Sequence, residues 1–188
     1  MEELTLQEEG HIYRLNGRKI PSVTQALSLV DDRQKDPYFL LRGRYIHRAC
    51  ELWSRGELDE NTVDPAILPR LEAYKGFCKD TGFIPSRIEE FYVHPIYLYG
   101  FKFDLGGALN GREVLIDLKS FPAPVDALQG AAYWGGLHAQ DPPLIYKAVF
   151  DLYLKENGKS NLVPIKFLRN NFLTFLAVLT AYRWKEKI

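Results

Sequence analysis

The segment Glu113-Val114-Leu115-Ile116-Asp117-Leu118-Lys119-Ser120 ends an apolar run with an aspartate and a lysine. The run reads as a β-strand with Val114, Ile116 and Leu118 on one face. Alternation turns Asp117 and Lys119 to the other, about 7 Å apart at ~3.3 Å per residue. Charged groups in such a place are rarely buried unless they are paired. Two chemistries fit. One is an Asp–Lys ion pair on the solvated face of an edge strand. The other is a metal-binding carboxylate beside an amine that stabilises negative charge developing on a phosphate.

A second carboxylate enters from the preceding segment. Asn110-Gly111 is a strong two-residue hairpin signal, so a strand over 100–109 lies beside the strand over 112–119. On the first strand Phe101, Phe103 and Leu105 share one face, and Lys102 and Asp104 the other. Joining the apolar faces leaves Asp104, Asp117 and Lys119 to converge, and two carboxylates from adjacent strands suit a hard cation. A polar sheet face in water is the alternative. Upstream, His47 and Glu51 stand at i and i+4 of a helix and can offer an imidazole and a carboxylate to one site. An ordinary surface His–Glu pair has the same spacing. Arg44 and Arg48 occupy a neighbouring stripe suited to backbone phosphates. Gln129 and Tyr133, again i and i+4, sit on a helix that packs back over the strand end and can aim an amide and a phenol at a nucleotide. A solvated Gln and a core Tyr are the plainer reading. Tyr38, Tyr45 and Trp134 can stack on unpaired bases or pack in the core.

Positioning these groups requires an ordered series of elements. A small hairpin spans 5–20 and turns at Asn16-Gly17. Pro21-Ser22-Val23-Thr24-Gln25 then opens a helix, with Ser22 as N-cap and Gln25 in capping-box spacing. A long helix over 37–55 carries His47, with an apolar stripe of Phe39, Leu40, Tyr45, Ile46, Ala49, Leu52 and Trp53. A linker with Glu57, Asp59, Glu60 and Asp64 leads to a helix over 65–81, stopped at Gly82. Strands are expected at 88–93, 100–109 and 112–119, and a helix at 125–138 after Pro122 and Pro124. A hairpin over 145–155 and 161–165 and a helix over 171–187 close the chain. There is no internal repeat.

At 188 residues the chain is long enough for one domain with a proper core and short for two. With 46% hydrophobic and 26% charged residues, its composition is that of a soluble globular protein. No apolar run of about 18 residues suggests a membrane span, and Met1-Glu2-Glu3-Leu4 lacks the apolar core of a signal peptide. Cys50 and Cys78 cannot form a disulfide framework or a four-thiolate iron–sulfur site, so a reducing, cytoplasmic setting is expected. Lys and Arg number 24, as do Asp and Glu, which argues against coating nucleic acid through bulk charge. An enzyme that grips a few phosphates while holding metal with carboxylates remains compatible.

Taken in order, Gly43/His47/Glu51, Glu90, Gly100 with Asp104, Ile116-Asp117-Leu118-Lys119-Ser120 and Gln129/Tyr133 resemble the PD-(D/E)XK nuclease superfamily, in its RecB-like exonuclease branch. His11-Ile12-Tyr13 and Ile20-Pro21-Ser22-Val23-Thr24 resemble the opening of phage-encoded and mitochondrial genome-maintenance members. The resemblance spans about 11–155. It implies an α/β fold with a restriction-endonuclease-like core, a central mixed β-sheet flanked by α-helices and an N-terminal hairpin, as one nuclease domain over 1–188. It implies that His47, Asp104, Asp117 and the Leu118 carbonyl ligate Mg²⁺ or Mn²⁺. Lys119 would orient the attacking water or stabilise the pentavalent phosphate, with Glu51 and Glu90 as secondary ligands or supporting groups. Gln129, Tyr133, Arg44, Arg48 and Lys102 would hold DNA. No iron–sulfur cluster of the kind some relatives carry is expected.

One feature departs from the family pattern. Gly-x-x-Asp is usual, whereas three residues separate Gly100 from Asp104 here. Glu89 also competes with Glu90, since only one of two strand neighbours can face the site. The implied activity is a metal-dependent DNA exonuclease acting at DNA ends, single-stranded ends included, in phage-type replication, recombination or repair. It would work in the cytoplasm, that of a bacterial host if phage-encoded. A non-catalytic DNA-binding recombination module and a structure-selective endonuclease are the rival readings.

Overall fold

The structure is a computed structural model that describes residues 3–7, 10, 12–33 and 36–187. His11, part of the opening motif, lies outside the described residues. Strands β1 (Leu4–Gln7), β2 (Ile12–Leu15) and β3 (Arg18–Ile20) pair antiparallel in that order, so the N-terminal hairpin is a three-stranded meander. Asn16 and Gly17 both take positive φ, 50° and 78°, as the tightest hairpin turn requires. Helix α1 (Val23–Leu27) opens with the expected capping box: Gln25 N–H donates to Ser22 Oγ at 3.0 Å and Ser22 N–H to Gln25 Oε1 at 3.1 Å.

Helix α2 (Pro37–Arg55) has the expected bounds, set by an Asp36 cap and a left-handed Gly56. Its apolar stripe is only half used. Ile46, Ala49 and Cys50 are buried, whereas Phe39, Leu40, Leu41 and Tyr45 are exposed. Helix α3 begins at Leu68 rather than 65 and ends at Thr81, before a left-handed Gly82. The chain continues through β4 (Ile84–Ile88), β5 (Phe91–Val93), β6 (Gly100–Lys102), β7 (Leu105–Leu109), β8 (Arg112–Lys119), α4 (Asp126–His138), β9 (Ala148–Leu154), β10 (Ser160–Pro164) and α5 (Leu168–Glu186).

The central sheet has the order β10-β9-β8-β7-β4. Only β8 and β9 run parallel, joined by the α4 crossover; the other pairs are antiparallel. Helices cover both faces. On one, Ile46, Leu71 and Tyr74 of α2 and α3 pack on Val114, Ile116 and Leu118, the strand face foreseen from alternation. On the other, Val23, Tyr133 and Phe175 of α1, α4 and α5 pack with Leu115 and Val149. Each such buried side chain contributes about 1.5–3 kcal/mol.

The strands expected at 88–93 and 100–109 are each broken. The breaks face one another: Glu89 N–H donates to the Asp104 carbonyl at 2.8 Å, and Phe103 N–H to the Glu90 carbonyl at 3.2 Å. Glu89 sits in the left-handed region, φ 56°. The kink resets side-chain parity. Phe101 and Phe103 enter the α1/α4/α5 core and Leu105 enters the α2/α3 core, so the three do not share a face. Gly100 has its own role, because a Cβ there would overlap the Tyr13 ring. Its N–H also donates to the Pro21 carbonyl at 2.9 Å, so it docks the N-terminal sheet rather than spacing Asp104.

Candidate active site

Three elements meet at the paired kink. From α2, His47 Nδ1 lies 3.3 Å from Asp104 Oδ1. Left-handed Glu89 joins them, and one ligand atom from each of His47, Glu89 and Asp104 falls within 4.8 Å of the others. The other Asp104 oxygen, Oδ2, accepts the Leu118 N–H at 2.6 Å, where the β7 ladder has already ended. N–H and C=O of a residue in an extended strand point to the same neighbour, so the Leu118 carbonyl also faces Asp104. Lys102 Nζ stands 2.7 Å from Glu89 Oε2.

Electrostatics divides this group. Burial works to lower the His47 imidazole, but the charge and hydrogen bond of Asp104 outweigh it and hold His47 up at about 9. Burial works to raise Asp104, but His47 and the Leu118 N–H outweigh it and keep its carboxyl below the usual range. Burial and the Asp104 charge push Glu89 up to about 7.

Beside this group, strand β8 ends on Asp117 and Lys119. Asp117 ion-pairs with Lys119 and lies outside the His47–Glu89–Asp104 group; burial pushes its carboxyl up to about 6. Lys119 Nζ also donates to Gln129 Oε1 at 2.7 Å and lies 3.4 Å from Asp126 Oδ1. Burial opposes the ammonium, but Asp117 and Asp126 outweigh it and raise its pKa. Gln129 Nε2 donates to the Tyr133 hydroxyl at 2.7 Å, which fixes the amide. Asp126 Oδ2 is held by the Ala123 N–H at 2.7 Å and the Tyr153 hydroxyl at 3.1 Å. In β9, Asp151 is the parallel partner of Asp117, and its buried Oδ1 has no hydrogen-bond partner among the described residues. Burial, then the Asp117 charge, push that carboxyl up to about 7.

Several expected site residues stand elsewhere. Glu90 is turned away: its Oε2 accepts from Arg87 at 2.9 Å and Tyr92 at 2.6 Å, so Glu89 takes the position at the cluster. Glu51 is engaged by Arg48 at 2.7 Å and Arg55 at 3.3 Å, beside the cluster rather than in it. Arg48 is thereby paired and Arg44 is exposed. Lys102 neutralises Glu89 instead of facing outward. Tyr133 is buried, stacks on Phe101 at 5.7 Å and meets the Lys119 network through Gln129. Trp134 packs on His138 and Phe172, while Tyr38 and Tyr45 are exposed. Asp126 and Asp151 escaped the sequence reading. For Asp151 the signal was present: a carboxylate inside the apolar strand Ala-Val-Phe-Asp-Leu-Tyr-Leu, the pattern that singled out Asp117.

No protein-family model matches the sequence, and no curated protein is similar to it at a significant level. Similar folds do occur among solved structures. One is the "Putative exonuclease" of Eubacterium rectale, with a TM-score of 0.52 and 11% identity over 87% of this chain and 82% of that one. At such identity the likeness is one of fold: an α/β arrangement with a five-stranded mixed sheet between helices. Among the described residues no helix is long and apolar enough to cross a membrane.

Proposed function

We propose that this chain, as a single nuclease domain, is a metal-dependent deoxyribonuclease that hydrolyses phosphodiester bonds from DNA ends. The observation that carries the reading is the convergence of His47, Glu89 and Asp104 within 4.8 Å, beside a lysine seated on the adjacent strand end. The fold likeness to the "Putative exonuclease" of Eubacterium rectale supports it.

The donor set suits Mg²⁺ or Mn²⁺: one imidazole nitrogen, carboxylate oxygens, and a strand carbonyl on the same side. Repulsion between Asp104 and Glu89 in a buried setting is what a divalent cation relieves. His47, Glu89, Asp104 and the Leu118 carbonyl would hold it, with Asp117 adjacent. When bound, the cation lowers the pKa of a water and offsets charge on a phosphate oxygen.

The remaining work belongs to the chain. The Leu118 N–H holds Asp104 Oδ2, so Oδ1 stays directed toward His47. Gln129, itself oriented by Tyr133, and Asp126, itself oriented by Ala123 and Tyr153, fix the Lys119 ammonium. A cation held this way needs little reorganisation to stabilise the charge that develops on phosphate, where a preorganised group is worth about 10²–10³ in rate.

The test is digestion of end-labelled linear and covalently closed circular DNA with Mg²⁺, Mn²⁺ or EDTA. Metal-dependent loss of linear DNA with circles intact, and a silent Lys119→Ala protein, is the expected result. Cut circles would make it an endonuclease. DNA binding without cleavage under either metal would overturn the catalytic reading.

A further inference from the structure

Five side chains outside the catalytic cluster close a ring at the N-terminal end of α2. The Phe39 and Phe121 rings meet edge-on, 6.4 Å between centroids. Phe121 lies against the Arg70 guanidinium at 5.5 Å. Arg70, only 1% exposed, donates to the Leu154 carbonyl at 3.1 Å and to Glu156 at 3.0 Å. Glu156, in the β9–β10 turn, also accepts from Arg42 at 2.9 Å, and Arg42 sits over the Phe39 ring at 5.2 Å and the Tyr38 ring at 5.8 Å. Burying a guanidinium is costly unless it is paired and hydrogen-bonded, and here both conditions are met. The ring of contacts ties α2, the segment after β8, α3 and the β9–β10 turn into one fixed platform.

Its aromatic members nevertheless stay open. Tyr38 is 59% exposed, Phe39 51%, Phe121 55% and Tyr45, further along the helix, 54%. A cluster of large exposed rings is a binding surface more often than a packing residue. Position identifies the occupant. Phe121 follows Lys119 by two residues, so their Cα atoms lie within about 7 Å. Flat exposed rings this near the lysine match stacked bases, and only unpaired bases offer free faces.

We propose that this aromatic ledge binds single-stranded DNA by stacking on its bases and delivers the strand to Lys119. The delivery rests on the nuclease reading; the binding does not. The test is fluorescence anisotropy in EDTA, with labelled oligothymidine of about 15 nucleotides and a blunt duplex of similar length. Phe39→Ala, Tyr38→Ala and Phe121→Ala should each weaken oligothymidine binding by about 5- to 100-fold, with duplex affinity changed less than about twofold. Phe39→Trp should retain binding, which separates a lost ring from a damaged fold.

Undiminished oligothymidine binding by Phe39→Ala and Phe121→Ala would overturn the ledge. So would sedimentation showing that these variants turn a dimer into a monomer, since the rings would then face a second copy. A wild-type protein that binds oligothymidine through the ledge yet cleaves nothing with Mg²⁺ or Mn²⁺ sinks the nuclease reading and leaves the ledge standing. Active cleavage by a protein whose ledge variants lose nothing sinks the ledge alone.

Discussion

His47, Glu89 and Asp104 meet where the backbone is irregular, whereas Lys119 is seated at the end of a regular strand and braced by a regular helix. In the first region two carboxylates crowd one imidazole, with Lys102 as the nearby cation. In the second, the cation is already present, bound by Asp117, Gln129 and Asp126. The first region resembles a receptor for positive charge and the second a supplier of it. The proposed hydrolysis of a phosphodiester needs both, side by side. Asp117 is the seam, on the strand that carries Lys119 and close enough to Asp104 for their charges to oppose each other.

The comparison breaks most sharply if metal binding and catalysis are measured separately. Asp104→Asn should abolish both calorimetric Mn²⁺ binding and cleavage, a loss on the order of 10³-fold or more in rate. Lys119→Met should lose about 10²–10³ in rate while binding Mn²⁺ at least as tightly as wild type, because Asp117 is released. Loss of Mn²⁺ binding in Lys119→Met would erase the division between the two regions.

Next in size is the choice between neighbouring glutamates. Glu89→Gln should weaken Mn²⁺ binding by about 10- to 100-fold, and Glu90→Gln by less than about threefold, since Glu90 serves Arg87 and Tyr92. The opposite ranking would return Glu90 to the site.

The smallest effect is on stability without metal. A carboxyl raised in the fold binds its proton more tightly there than in the unfolded chain. Its contribution is full below the unfolded pKa and lost as pH rises through the folded one. Asp117 at about 6 and Glu89 and Asp151 at about 7 all act in this sense. His47, raised to about 9, loses its contribution between its ordinary value and that pH, in the same direction. The Tm in EDTA should therefore fall by at least about 5 °C between about pH 5 and pH 8, and Mn²⁺ should restore much of it. Asp151→Asn should flatten the profile by raising Tm at the alkaline end. A Tm that is flat or rises with pH in EDTA would refute the crowded-carboxylate picture.

How far the site could be read in advance follows the range of the interactions involved. Ser22 with Gln25, Asn16-Gly17, Asn110-Gly111 and Gly82 at the end of α3 act within a few residues, and each element boundary they mark stands in the structure. Asp117 and Lys119 were legible for the same reason, since period-two alternation along an unbroken strand is a local property. Asp126 carried no such mark, because its importance comes from the fold of the turn over 120–125, which brings the head of α4 back to Lys119.

By itself, then, the sequence determined the turns, the caps, the α/β order and the Asp117–Lys119 strand end, all set by neighbours along the chain. Tertiary structure alone decided that the two ribbons kink together at Glu89 and Asp104. The hydrogen bonds that hold the kink join segments far apart in sequence, and helices on both sheet faces claim Phe103 for one core and Leu105 for the other. It also decided that the first half of the α2 apolar stripe stays in solvent. Periodicity marks which residues share a helix face, and only the packed fold shows whether anything lies against it.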